Sequence, residues 1–165
     1  MSVWHRVFGI MDVEPDPGAL IEFLHGLGFP VITSRFHRDE QGWFTAELLL
    51  KEVEPLRLDR YLATEEGIRN ELNTWAAWLE TVMSNPNRDS LMQHLISTAQ
   101  VFTFQVEIGE VLPVPDSGLE RGDFSRIEKF SNGLCQFLAR QTAGVYQVDE
   151  RGFFAADGTL LVGEE

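Results

Sequence analysis

The sequence predicts an α+β fold: an antiparallel sheet with helices on one face, then a further helix and a small β-meander. Three observations predict it. Segments alternating in polarity with period two interleave with segments whose apolar residues recur every three or four positions. Through residue 107 the order reads strand, helix, two or three strands, helix, strand, the order of a ferredoxin-like, split β-α-β sheet. The length of 165 residues and an apolar content of 44% suffice for one core without metal or disulfide.

Residues 3–12 are rich in β-branched and aromatic side chains and read as a strand. Residues 12–18 hold Pro15 and Pro17, turn chemistry placed to open a helix. In residues 19–27, Leu20, Ile21, Phe23, Leu24 and Leu27 fall on a helical stripe, and Gly28 supplies the stop. Residues 31–38 and 43–51 alternate and flank a hairpin loop at 39–42. Residues 56–61 alternate again after Pro55. From Glu65 to Met83, Ile68, Leu72, Trp75, Leu79 and Val82 make one helical face, with Thr64 as its expected cap.

A short helix over residues 90–97 and a strand over 100–108 follow. Residues 109–122, with two prolines and three glycines, read as a long connector between the core (1–108) and the C-terminal part (123–165) of one 165-residue domain. Ser125 and Glu128 form a capping box, so a helix is expected from there to about Gln141. The Asp157-Gly158 turn closes the meander that ends the chain.

The 26 acidic residues against 13 basic ones give a net charge of −13, which repels phosphate backbones and excludes general nucleic-acid binding. The same field attracts a basic protein. The N-terminal residues lack a secretory pattern, and no apolar run approaches the roughly 20 residues of a membrane span, so a cytoplasmic protein with no membrane partner is expected. Cys135, the only cysteine, sits among Leu134, Phe137 and Leu138 and reads as a small core hydrophobe.

No phosphate-binding glycine loop, zinc-protease motif, calcium loop or nucleophile elbow occurs. The four histidines are dispersed, and His37 lies between Arg35 and Arg38, so neither a metal site nor a cofactor is expected. Asp12, Glu14 and Asp16 alternate like calcium ligands, but Pro15 and Pro17 beside them make a solvated turn the better reading.

One constellation remains. With Ile32, Phe36, Phe44, Leu48, Leu56 and Leu58 turned to the helices, the opposite face carries Arg35, His37, Trp43, Glu47 and Arg57. With Trp4, Phe8 and Ile10 also facing the helices, His5 joins them. Arginine, histidine and tryptophan beside a carboxylate suit a binding surface. Ordinary cross-strand ion pairs on a solvated face, or cover by the C-terminal segment, are the competing fates. The expected function is therefore a non-enzymatic protein-binding or interaction protein, immunity-like or regulatory, with a homodimer as a further form. The alternative is a small enzyme or ligand binder with a pocket between this face and residues 109–122.

Overall fold

The computed structural model describes residues 2–51, 54–107 and 118–164, with backbone alone over 118–125. The elements run β1 (Ser2–Gly9), α1 (Pro17–Leu27), β2 (Val31–Asp39), β3 (Gly42–Leu50), β4 (Leu56–Leu62), α2 (Ile68–Glu80), α3 (Arg88–Ile96), β5 (Gln100–Glu107), α4 (Gly118–Thr142), β6 (Val145–Val148), β7 (Gly152–Ala155) and β8 (Leu160–Gly163). All eight strands join one antiparallel sheet in the order β2-β3-β4-β5-β1-β6-β7-β8. The α+β class and the C-terminal meander stand. The ferredoxin-like order does not, because three strands separate β1 from β2 where a split β-α-β unit has one.

Local chemistry sets the element ends. Asp16 caps α1 by accepting from the Ala19 amide at 2.9 Å, with Pro17 in the first turn, and Gly28 closes the helix at φ +100°. α2 starts later than expected: Gly67, not Thr64, precedes it, and Glu65 is spent accepting from the Leu62 amide. α4 starts earlier, so residues 118–122 of the expected connector are helical. The rest of that connector lies outside the described residues.

The helices cover both faces of the sheet, not one. On the first face Val7, Leu58, Phe102, Phe104 and Tyr146 meet Leu20 and Leu24 of α1 and Phe130, Leu134 and Leu138 of α4. On the second, Phe8, Val101, Val145 and Phe153 meet Ile68, Leu72 and Leu79 of α2 and Leu91 and Leu95 of α3. The central strands β1 and β5 thus carry apolar side chains in both phases, which removes the alternation that would have assigned a single inner face.

Two β-bulges reset the phase in β2 and β3. His37 pairs with Thr45 and Arg38 with Trp43, leaving Phe44 as the extra residue; a second shift lies between Val31 and Thr33. Trp43 therefore turns inward and is fully buried between Phe36 and Phe102, while Phe44 points out. Ile32 is likewise turned to solvent, 63% exposed.

The inner end of this hairpin is fixed by polar contacts. The Trp43 indole donates to Pro15 O at 2.8 Å and its amide to Glu14 at 3.2 Å. Arg60, only 5% exposed, donates to Gln41 O, Trp43 O and Gln100 Oε1. The Gln100 amide donates in turn to Met11 O and Val13 O.

The α2–α3 cover is anchored by Phe153, whose ring lies 5.5 Å from Trp75, 6.0 Å from Trp78 and 6.1 Å from Phe8. Phe153→Ala is expected to lower the free energy of unfolding by about 3–5 kcal/mol, read from the midpoint of a denaturant melt. A loss below about 1 kcal/mol would mean that the cover does not rest on this ring.

Candidate functional site: the exposed strip of the second sheet face

Cross-strand register sorts the second face into rows. Tyr61, Val101, Phe8 and Val145 form an apolar row beneath α2 and α3. The next row, His37, Thr45, Asp59, Thr103, Arg6 and Gln147, is polar across six strands. Arg35, Glu47 and Arg57 pair side by side in the third, and Trp4 pairs with Gln105 further along the same face. Arg6 marks the border of the covered region: it lies 5.3 Å from the Trp75 ring and is paired with Asp149 at 2.7 Å.

Beyond that border no element of the described residues covers the second face of β2, β3 and β4. The Arg57 side chain is 71% exposed and Glu47 57%, with Phe44 and Leu49 each a little over 40%. A groove of about 460 Å³ runs along it, lined by Thr33, Arg35, Glu47, Leu49, Pro55 and Arg57, with Leu48 and Leu56 at its base. Four of the expected site residues, Arg35, His37, Glu47 and Arg57, are thus brought together: Arg35, Glu47 and Arg57 line the groove, and His37 Nε2 lies 3.3 Å from Glu47 Oε2.

The charges on the strip are unequally committed. Arg57 Nε donates to Asp59 Oδ1 at 3.0 Å, and Thr45 Oγ1 donates to the same oxygen at 2.6 Å. That contact first, and the charge of Asp59 next, raise the Arg57 pKa. Glu47 leans toward His37, into the neighbouring row. Arg35 makes no hydrogen bond, ion pair or ring contact among the described residues.

Two expected site residues lie elsewhere. Trp43 is in the core for the reason given by the bulge. His5 is 3% exposed on the first face, stacked on Phe104 at 4.8 Å, with Nδ1–H donating to Val3 O at 3.3 Å. The phase of β1 is the reverse of that assumed: its even residues, Trp4 among them, share the second face with Arg57. Phe44, Leu49 and Trp4 are the strip residues that alternation missed. The run Leu48-Leu49-Leu50 carries no phase at all, and nothing in the sequence marks the bulge beside Phe44.

Other candidates have structural roles. Cys135 is fully buried, and burial pushes its thiol well above the ordinary range. His94 donates to Phe8 O at 2.9 Å and ties α3 to β1. Among the described residues no cluster of three His, Cys, Asp or Glu side chains could hold a metal ion, and no helix is long and apolar enough to cross a membrane. No family model matches the chain, and no curated protein or solved structure matches it either.

His5 offers a clean pH test of its placement. Burial lowers its pKa from 6.5 to about 4, so the unfolded chain binds the extra proton between those values. Stability is therefore full above pH 6.5 and falls as pH drops toward 4, by on the order of 3 kcal/mol for the whole window. His5→Phe is expected to remove this part of the slope in urea melts between about pH 7.5 and 5.5, leaving the slope due to His94, which burial also lowers. An unchanged slope would place His5 in solvent.

Proposed function

We propose that the chain is a non-enzymatic, cytoplasmic binding protein that holds a protein partner against the open strip of its sheet. The observation that carries this reading is the strip's composition: Phe44 and Leu49 stand exposed beside Arg35 and Arg57, on strands whose other face is packed core. Aromatic residues and arginine are the types over-represented at protein interfaces. A strip carried on paired strands is already ordered, so little conformational entropy is lost when a partner docks. A regulatory or immunity-like role, occupying a functional surface of another protein, is the concrete form of this activity.

A second reading has its own support. The volume of about 460 Å³ falls within the range of small-ligand pockets, and Arg35 and Glu47 converge on it. Its openness along β2–β4 and its shortage of enclosing walls among the described residues favour a macromolecular partner over a small molecule.

The test compares wild type with Phe44→Ser/Leu49→Ser as bait in the organism's own lysate. Both side chains are exposed, so the variant should melt within about 1 kcal/mol of wild type. A partner captured by wild type and lost from the variant is the expected result. Capture indifferent to the substitutions, or a monomer that captures nothing, would contradict the proposal.

A further inference from the structure

We infer that the strip takes an acidic, extended segment of its partner, with Arg35 and Arg57 clasping carboxylates and Leu49 and Pro55 receiving an apolar side chain. This rests on the reading of the strip as a protein-binding surface and adds the chemistry of what binds. The net charge of −13 argues for a basic partner at long range. Contact chemistry is decided within a Debye length, about 8 Å at physiological salt, and there the local groups govern.

Locally the arginine without a partner among the described residues is Arg35. Every other arginine whose side chain is described is engaged: Arg6, Arg38, Arg57, Arg88 and Arg151 with carboxylates, Arg60 and Arg69 with oxygens, Arg126 and Arg140 over phenylalanine rings. Arg35 alone among them has no such contact with a described residue, and it lines the groove. Arg57 is held through Nε only, so its terminal nitrogens remain available. The two carboxylates of the strip each have a partner, Glu47 Oε2 in His37 Nε2 at 3.3 Å and Asp59 Oδ1 in Thr45 and Arg57.

Spacing fits the same occupant. Arg35 and Arg57 flank Glu47 on adjacent strands, so their Cα atoms stand about 10 Å apart. Carboxylates two residues apart on one side of an extended segment lie about 7 Å apart, and two long arginine side chains can close that difference. Each guanidinium offers a planar fork that a carboxylate fills with two hydrogen bonds. Because both arginines are exposed in the free protein, neither charge is stranded when the groove is empty.

The test is selection of a random displayed peptide library on wild type, followed by binding of the selected peptides to two variants. Peptides enriched in Asp and Glu next to apolar residues are expected, with affinity falling about tenfold or more on Arg35→Ala/Arg57→Ala and weakening as salt rises. Peptides without acidic enrichment, peptides that bind this variant undiminished, or no selected peptide at all would overturn the inference. Binding lost on Phe44→Ser/Leu49→Ser but kept without the arginines would refute the acidic segment while leaving the strip as the binding surface. Binding indifferent to both variants would refute both. Thermal melts of each variant separate loss of contact from loss of fold.

Discussion

The arrangement of the open strip depends on one buried guanidinium. Arg60 sits inside the sheet's first face and reaches three elements at once, the hairpin carbonyls of Gln41 and Trp43 and the Gln100 side chain of β5. Gln100 extends the same network to Met11 and Val13 in the segment that leads into α1. Burial pulls the Arg60 pKa down, and the nearby Glu14 and Asp39 carboxylates oppose that. A guanidinium taken out of water must find fixed acceptors, and stranding it costs about 3–5 kcal/mol. Those acceptors exist only when the hairpin end sits where the bulge puts it. The bulge in turn sends Trp43 inward, onto Arg60 at 5.9 Å, and Phe44 outward.

From this follows the division of the second face. Its apolar row is buried by α2 and α3, its polar row forms the border, and its mixed row is left to solvent. The border is itself a structural device. Arg6, Gln147 and Asp149 satisfy one another there, and Gln147 and Arg6 draw the Asp149 pKa down against the burial that would raise it. Glu164, directly after β8, closes the cluster, and burial raises its pKa. The exposed row begins where these internal commitments end.

Much of this was legible in the sequence, and the failures share a cause. Helical stripes such as Ile68, Leu72 and Leu79 were readable because each of those side chains packs on one side only. Arg35, His37, Glu47 and Arg57 were readable because the strands carrying them keep strict alternation between the two bulges. Trp43, Phe44 and Ile32 were misplaced because a bulge inverts phase without a sequence mark of its own. His5 and Trp4 were interchanged because β1 carries apolar side chains in both phases, so hydrophobicity cannot say which way either residue points. The strand order depends on which partner completes each ladder across the whole chain, and no local pattern encodes that.

Hydrogen exchange of the Trp43 indole N–H, compared between wild type and Arg60→Lys, reports whether the Arg60 guanidinium holds the hairpin end in place. In wild type this proton, bonded to Pro15 O in the core, should exchange only when the domain unfolds, far more slowly than the indole of the exposed Trp4. Lysine keeps the charge but cannot reach two carbonyls and Gln100 from one planar fork, so the indole should lose protection relative to the paired amides of β1 and β5. An indole that exchanges as fast as that of Trp4 in wild type, or one whose protection relative to those amides is unchanged by Arg60→Lys, would contradict it.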